Sequence, residues 1–299
     1  MTPENAISVS GQSSIRGRME SEAASGEAII IAPRRHPWRW IGGAVAVFLM
    51  WRIVNSMIYN ENFGWDIVAE YLFSPVVLSG LGLTIWLTVV AMTLGIILGL
   101  VLAVMALSSN PMLRYPADVY LWLFRGTPVL VQLIFWYNLA ALYPVIQFGL
   151  PFGDVLAEYS TNALITPYTA ALLGLSLNEA AYMAEITRAG IASIDYGQEE
   201  AAKSLGMSRV KTLRRIILPQ ALRVIIPPTG NQVIGMLKMT SLVSVISLYD
   251  LLYSVQGVSA RTFQVIPMLI VACAWYLLMT SILSIGQKYI EKLCARDAL

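Results

Sequence analysis

The chain has 299 residues, of which 57% are hydrophobic and 13% charged, with a formal net charge of +2 and a mean hydropathy of +0.65. This composition excludes an ordinary water-soluble protein and predicts a membrane protein. The single histidine, His36, and the two cysteines, Cys273 and Cys294, show no C-x-x-C or His-rich spacing. The sequence therefore predicts neither a metal site nor a disulfide.

Residues 1–37 are predicted to form a disordered cytoplasmic tail. The first 30 residues are rich in Ser, Glu, Gly and Ala, which cannot bury enough apolar area to fold. The first apolar run begins only at about residue 38, and no A-x-A-like site clearly follows it. A cleaved signal peptide is therefore not expected.

Six apolar segments are long enough to cross a bilayer as helices, which takes about 20 residues each. The second contains Gly95 and Gly99, a small-xxx-small spacing that allows close helix packing, although a lipid-facing glycine pair has the same spacing. The sequence thus predicts an all-α membrane protein with six spans, at about 38–58, 77–107, 116–141, 166–190, 220–246 and 264–287.

Lysine and arginine are concentrated in alternate loops, which predicts the orientation of the spans. Basic residues lie in the N-terminal flank, in the 108–116 loop, in the 191–219 segment and in the C-terminal tail. The 60–76 and 142–165 loops contain acidic residues but no Lys or Arg, and the 247–263 loop has a single Arg. Both termini and the 191–219 segment are therefore predicted to be cytoplasmic.

The segment from Glu199 to Pro219 is unusually charged, with seven charged residues among 21. Its first half is a good helix former that ends at Gly206, which suits a left-handed C-terminal cap. Ser208 can then cap a second helix, which Pro219 is predicted to close. One apolar surface rimmed by basic residues is expected from Leu205, Met207, Leu213, Ile216 and Ile217.

Three interpretations of this helix pair are open from its residues. A DNA-binding helix-turn-helix has a similar Gly-containing turn before a basic helix, but this pair is tethered within a few residues to membrane spans. A solvated basic loop explains the charges but not the two-helix pattern or its apolar face. A docking element for a cytoplasmic partner explains both features, and no nucleic-acid partner is expected.

Two features then match a known family. The pattern Glu200-Ala-Ala-x-x-x-Gly206, followed after nine residues by Ile216-x-Leu-Pro219, resembles the EAA loop of bacterial ABC importer permeases. The flanking sequences resemble the polar amino acid permeases of that family, at FRGTPVLVQL (124–133), LSLNEAAYMAEITRAGI (175–191), LPQALRVIIPPTGNQ (218–232) and LKMTSLVSVISLYDLL (237–252).

The resemblance covers about residues 75 to 290 and implies a domain layout. Residues 76–290 would form a type I ABC importer transmembrane domain with a five-helix core, whose coupling EAA loop spans about 195–219. Residues 38–75 would add an extra N-terminal transmembrane helix and a periplasmic loop. Residues 291–299 would be a cytoplasmic tail.

The resemblance also implies partners. In this family the two short helices are coupling helices that sit in a groove of the cytoplasmic ATPase subunits. A second copy or a sister permease, a periplasmic solute-binding protein and a polar amino acid or opine complete such a system in the inner membrane. The residues expected to couple to the ATPase are Glu200, Ala201, Ala202, Leu205, Gly206, Ile216, Leu218 and Pro219.

No catalytic site and no cofactor are predicted for this chain. The sequence contains no G-x-x-x-x-G-K-[ST] phosphate loop and no Ser/His/Asp, Cys/His or paired-carboxylate arrangement. ATP and Mg²⁺ are therefore assigned to the partner ATPase, and the chain is not expected to be an enzyme.

The candidate substrate pathway rests on polar residues within the spans, which are costly and point to function. Glu179 falls about 18 Å into its helix, near mid-bilayer, where it can balance the ammonium group or the cationic side chain of a substrate. The alternative is a structural hydrogen bond or an ion pair with Lys238 or Arg125. The candidate pathway residues are Asn178, Glu179, Arg125, Lys238 and Thr240.

The sequence also predicts a helix bend and an ion pair within one helix. Gly126 and Pro128 are predicted to bend their helix just after Arg125, and Glu185 is predicted to pair with Arg188 along its own helix. An ion-coupled secondary transporter is the main rival interpretation of the chain. That class predicts inverted repeats, and the sequence contains no evident internal repeat.

Overall fold

The computed structural model describes residues 37–149 and 155–296. Contacts divide the chain into two units, Met1–Asn60 and Glu61–Leu299. The described part of the first unit is one helix, α1 (Pro37–Tyr59), in which Trp40–Tyr59 is long and apolar enough to cross a membrane. The tail predicted at residues 1–37 lies outside the described residues except at Pro37.

The second unit is mostly helical. Its elements in chain order are a 3₁₀ turn (Glu61–Phe63), α2 (Trp65–Leu72), α3 (Pro75–Ala106), α4 (Pro111–Gly126), α5 (Val129–Tyr137), α6 (Leu139–Leu142), β1 (Val145–Gly149), β2 (Val155–Ser160), α7 (Thr161–Leu164), α8 (Pro167–Ala192), α9 (Tyr196–Ser204), α10 (Arg209–Thr212), a π-helical turn (Leu213–Ile217), α11 (Leu218–Met239), a 3₁₀ helix (Thr240–Ile246), α12 (Leu251–Thr262) and α13 (Val265–Arg296).

The strands β1 and β2 replace part of the loop predicted at 142–165, in a protein that is otherwise mostly helical as predicted. They pair antiparallel, with Val145 opposite Ser160 and Gln147 opposite Glu158. The prediction was wrong here because the apolar-run pattern leaves 142–165 as a loop. Runs of β-branched and aromatic residues on a pleated surface nevertheless favour strands, and β1 carries Val145, Ile146 and Phe148.

Helix α8 is the centre of the second unit and packs most extensively against α3. Glycine makes this close packing possible. A Cβ atom on Gly99 would lie 2.6 Å from Met183 Cβ and 2.9 Å from the Ala180 carbonyl oxygen. A Cβ on Gly95 would lie 2.7 Å from Glu179 Cγ. The Gly95–Gly99 pair therefore belongs to a helix–helix contact rather than to a lipid-facing surface.

Three helices within the described ranges are long and apolar enough to cross a membrane, namely Trp40–Tyr59, Pro75–Ala106 and Val265–Cys294. The number rises to five if each of two bent helix pairs counts as one span. Helix α8 is not among them, because polar residues such as Asn178 and Glu179 lower its mean hydropathy. It is largely buried in the protein, and a helix shielded from lipid does not need an apolar surface.

The segment predicted as one helix over 116–141 is broken. Helices α4 and α5 meet at an angle of 102°. Between them, Thr127 is extended, with φ −116° and ψ 142°, as the residue before a proline prefers to be. The predicted bend at Gly126 and Pro128 is thus confirmed, and it is a sharp elbow rather than a kink in a continuous helix.

Candidate functional site: the charged loop and the buried polar centre

The charged loop, residues 195–219, begins with a well-capped helix. Asp195 is the N-cap of α9, and its Oδ1 accepts a hydrogen bond of 2.7 Å from the Gly197 amide. At the other end Gly206 has φ +70°. The Gly206 amide donates to the Lys203 carbonyl at 2.9 Å, and the Met207 amide donates to the Ala202 carbonyl at 3.0 Å. These two bonds define a Schellman motif, so the predicted left-handed cap at Gly206 is confirmed.

The second half of the loop continues into a long helix. Ser208 occupies the N-cap position of α10, but its side chain makes no capping hydrogen bond. After α10 the backbone passes through the π-helical turn into α11 without leaving helical geometry. The prediction that Pro219 closes this helix was wrong. Pro219 falls in the first turn of α11, where a missing N–H is tolerated.

The apolar residues of the loop divide between two surfaces instead of forming the single one expected. Leu205 and Val210 are 80% and 76% exposed. Met207, Leu213 and Ile217 instead line a cleft beneath the loop. Leu205 and Val210 are therefore uncovered in this chain, and Val210 is an exposed apolar residue that the sequence pattern did not single out.

The other residues expected in coupling fall on both sides of α9 and at the start of α11. Glu200, Ala201 and Gly206 are exposed, whereas Ala202 is buried at 1% exposure. Ile216 is half-buried, and Leu218 and Pro219 are exposed. The set is therefore not one contiguous patch, and its exposed tip runs from Glu200 to Gly206.

The charges of the loop are mostly free of ion pairs. Lys203 Nζ lies 2.7 Å from Glu199 Oε1, and Lys203 also lies over the Tyr196 ring at 5.8 Å. The hydrogen bond from Lys203 lowers the pKa of the Glu199 carboxyl, with a smaller contribution from the positive charge of Arg209. Among the described residues no carboxylate pairs with the remaining four cations, which are Arg209, Lys211, Arg214 and Arg215.

Gln232 on α11 and Glu179 on α8 form the buried polar centre of the second unit, and Glu179 is only 1% exposed. Both of its carboxylate oxygens accept hydrogen bonds from Gln232 Nε2, at 3.2 and 3.3 Å. Neither Lys238 nor Arg125 forms an ion pair with it. Among the described residues, the structural alternative for this carboxylate is met by a hydrogen bond from α11 and not by an ion pair.

Arg125 is engaged elsewhere, with the C-terminal half of α8. Its Nη1 lies 3.5 Å from Glu185 Oε2, and its guanidinium lies 5.9 Å from the centre of the Tyr182 ring. Arg188 donates to the same carboxylate through Nε at 3.1 Å and Nη2 at 2.5 Å. The predicted Glu185–Arg188 pair is thus confirmed, with Arg125 as a third member that ties α4 to α8.

Asn178 belongs to the elbow between α4 and α5. Its Nδ2 donates to the Phe124 carbonyl at 2.8 Å, and Gln132 Nε2 donates to the same oxygen at 3.1 Å. Gln132 Nε2 also reaches Thr127 Oγ1 at 2.8 Å. These amides satisfy a carbonyl that the break in the helix releases. Gln132 was missed because its partner appears only once the chain has folded back.

The remaining pathway candidates, Lys238 and Thr240, lie at the end of α11. Lys238 is exposed, whereas Thr240 is fully buried and its Oγ1 donates to the Leu237 carbonyl at 2.7 Å. The hydroxyl of Thr240 is thus used within its own helix. Lys238 is the member of this pair that faces outward from the protomer.

Asp250 is a buried acidic residue that the sequence pattern did not identify as a site residue. It caps α12, accepting from the Tyr253 amide at 2.9 Å and from the Leu252 amide at 3.2 Å. Tyr276 Oη on α13 lies 3.4 Å from Asp250 Oδ2, and Thr84 Oγ1 on α3 accepts from the Leu251 amide at 3.0 Å. The N-cap position of Asp250 was detectable from sequence, but its contact with Tyr276 on α13 and the neighbouring Leu251–Thr84 bond to α3 were not.

Comparisons with known proteins identify relatives that are transport permeases. A family model described as the binding-protein-dependent transport system inner membrane component matches residues 95–295. The arginine transport system permease protein ArgU of Corynebacterium glutamicum is 46% identical over 273 residues, covering 91% of this chain and 85% of its own length. The octopine transport system permease protein OccM of Rhizobium radiobacter is 38% identical over 208 residues, covering 69% of this chain and 81% of its own length.

A solved structure of an amino acid ABC transporter also resembles this chain. The crystal structure of an amino acid ABC transporter with histidines matches with a TM-score of 0.65 and 35% identity, covering 76% of this chain and 98% of that chain. The family match includes the charged loop and the buried polar centre. The chain therefore belongs to the family of binding-protein-dependent transport system inner membrane components, the permease subunits of ABC importers, and is a multi-pass protein of the inner membrane.

Proposed function

We propose that this chain forms one half of the translocation pathway of an importer for a polar amino acid or an opine. A second copy or a sister permease supplies the other half, and separate ATPase subunits bind ATP and Mg²⁺. A periplasmic solute-binding protein delivers the cargo. The observation that carries the proposal is the exposure of Leu205 and Val210 on the helix pair of the charged loop. The names of the relatives support an amino acid or an opine as cargo.

The proposal places six spans in the membrane with both termini and the charged loop in the cytoplasm. The distribution of Lys and Arg supports this orientation, because they are absent from the 60–76 and 142–165 loops. Five spans come from the three long apolar helices and the two bent pairs, and α8 is the sixth, shielded by its neighbours. Residues 76–290 would then be the transport domain, with α1 as an addition to its five-helix core.

The exposed tip of the charged loop is the proposed contact with the ATPase. Glu200 and Gly206 are exposed, and a side chain added at Gly206 would meet no atom of this protomer within 4 Å. Leu205 and Val210 supply apolar area for a groove on the partner. Ile216, Leu218 and Pro219 lie where the loop joins α11, so they would transmit movement rather than bind the ATPase directly.

Glu179 is the proposed contact for a positive group of the cargo. A carboxylate buried without a cation is unfavourable, and among the described residues only the neutral amide of Gln232 donates a hydrogen bond to its side chain. An ammonium or guanidinium group reaching α8 during transport would supply the missing charge. Asn178 and Arg125 would set the shape of the path through the elbow, with Thr240 packing beside it.

Lys238 is the proposed contact for a negative group of the cargo. It is exposed on a membrane helix, and such a charge is expected to face a water-filled cavity or a partner chain rather than lipid. A substrate carboxylate passing between two permease halves would meet it there.

The decisive experiment is reconstitution of the full chain with its ATPase and solute-binding protein in proteoliposomes. We expect ATP-dependent uptake of labelled arginine or another polar amino acid, and none when the ATPase is omitted. Uptake driven by an ion gradient without the ATPase would overturn the proposal in favour of a secondary transporter.

Glu179→Gln tests the cargo contact separately. Glutamine keeps the size of the side chain and its hydrogen bond with Gln232, and removes only the charge. We expect at least tenfold lower uptake of a cationic amino acid with normal expression, whereas the control Glu70→Gln on the exposed surface of α2 has no effect. Unchanged uptake and unchanged substrate preference in Glu179→Gln would mean that this carboxylate is structural.

A further inference from the structure

A cleft of about 480 Å³ lies against the charged loop, and the exposed Leu205 and Val210 are not among the residues that line it. It is bounded by the ends of α3 and α8 and by the inner side of the loop. A volume of this size is within the range of small-molecule binding sites. Its walls are mainly apolar and consist of Val104, Leu107, Ile191, Met207, Leu213 and Ile217.

The rim of the cleft is charged and positive in sum. Glu199, Lys203 and Arg209 line it, so two cations face one carboxylate. Lys203 and Glu199 neutralise one another at 2.7 Å. Arg209 has no ion pair with a described residue, which leaves one positive charge of the rim uncompensated.

The cleft adjoins the surface of a helix that is long and apolar enough to cross a membrane. Val104 is 70% exposed and lies in the last turn of α3, a helix long and apolar enough to span the bilayer. Leu213 on the loop is 44% exposed at the same cleft. An apolar space that adjoins the surface of a membrane helix, with a cation at its polar end, has the amphipathic pattern of a phospholipid.

We propose that this cleft binds one anionic phospholipid, with its phosphate at Arg209 and its upper acyl chain against Val104, Leu213 and Ile217. The positive rim favours an anionic over a zwitterionic headgroup, because juxtamembrane Lys and Arg attract anionic lipids. The proposal rests on the proposed function only in placing the loop at the cytoplasmic face. Since Leu205 and Val210 lie outside the cleft, the lipid and the ATPase do not compete for the same side chains.

The site also explains why the loop needs a second apolar surface. Met207, Leu213 and Ile217 would otherwise leave a partly open apolar cavity between the loop and α3. A bound acyl chain fills that space and supports the loop from the membrane side. The lipid would thus hold the docking helices at a fixed height above the bilayer.

Native mass spectrometry of the full-length permease in detergent tests the site, with phosphatidylglycerol and phosphatidylcholine supplied in equal amounts. We expect one phosphatidylglycerol to be retained preferentially. Arg209→Gln is expected to lower that preference about fivefold, the effect of one basic residue near an anionic membrane surface. The matched control is Lys211→Gln, two residues further on and exposed but not lining the cleft, and it is expected to keep the preference.

A second variant and two competitions complete the test. Val104→Trp fills the apolar wall without changing charge and is expected to reduce retention of both lipids. An unchanged lipid preference in Arg209→Gln, or an equal loss in Lys211→Gln, would overturn the site. Displacement of the lipid by excess inorganic phosphate would identify a plain anion site instead, and displacement by added ATPase would make the cleft part of the docking surface. Because lipid retention is read on the permease alone, its outcome is independent of ATP-driven uptake.

Discussion

Replacing Gly206 separates the turn that it forms from the surface that it presents. In the permease alone the cost of a side chain is conformational, since nothing lies within 4 Å of a Cβ built at Gly206. With φ at +70°, alanine there costs about 1 kcal/mol, and asparagine or aspartate less. In the assembled importer, however, Gly206→Asp would bury a carboxylate without a partner, which costs about 3 kcal/mol or more. We therefore expect Gly206→Asp to weaken ATPase binding by about 100-fold.

The measurement is the dissociation constant of the ATPase for the permease in lipid nanodiscs, followed by uptake in proteoliposomes. Gly206→Asn is the matched control, because it has the same shape as aspartate, tolerates the left-handed backbone and has no charge. It is expected to bind within about tenfold of the wild type. If Gly206→Ala were the weakest binder, backbone strain would explain the effect instead. Wild-type binding and uptake in Gly206→Asp would refute the docking argument altogether.

Three further substitutions test other parts of the structure. Glu200→Lys is expected to weaken ATPase binding at least tenfold with no change in expression. The control Gln198→Lys, also exposed on α9, is expected to bind the ATPase normally. Equal binding by the two variants would show that Glu200 is not part of the docking surface. Gly99→Ala is expected to destabilise the permease by about 1–3 kcal/mol in a thermal unfolding assay, because its Cβ would lie 2.6 Å from Met183 Cβ. Gly82→Ala on the same helix has open space and serves as the control, so equal unfolding temperatures for the two would contradict the close α3–α8 contact. Asp250→Ala should lower the free energy of unfolding by more than the roughly 1 kcal/mol of a lost cap, because it also removes the partner of Tyr276. Asp195→Ala, at an exposed cap, is the control. A smaller loss of stability in Asp250→Ala than in Asp195→Ala would show that the buried contact adds nothing.

Features that depend on neighbouring residues in sequence were predictable. The left-handed cap at Gly206 follows from a helix former ending in glycine, and the Glu185–Arg188 pair follows from a spacing of three on a helix. The elbow after Arg125 follows from Gly126 and Pro128. In each case the local backbone preference determines the result, and tertiary packing does not oppose it.

Features that depend on distant segments were not predictable from one sequence. Gln132 and Asn178 converge on the Phe124 carbonyl only because the elbow brings α5 back toward α8. Asp250 meets Tyr276 across 26 residues, and the Leu251 amide meets Thr84 across 167. No spacing rule within a single helix encodes such contacts. The burial of Glu179 without a cation was likewise invisible, because a nearby Lys238 and Arg125 suggested an ion pair that the packing does not form.

The failure of Pro219 to end its helix has a mechanical consequence. Helical backbone runs without a break from Arg209 to Ile246, beginning next to the exposed Val210 and passing Gln232 and Lys238. At 1.5 Å per residue the stretch from Val210 to Lys238 is about 40 Å long, roughly the thickness of a membrane with its headgroups. We therefore expect a displacement of the charged loop to act on α11, whose Gln232 donates a hydrogen bond to Glu179 of α8. The π-helical turn at Leu213–Ile217 changes the helical register near the N-terminal end of this helix. Such turns commonly mark functional positions. If the loop drives transport, rotation of the loop would be converted into movement of α11 at the π-helical turn. Stiffening or shortening this turn should therefore uncouple ATP hydrolysis from uptake while leaving ATPase binding intact.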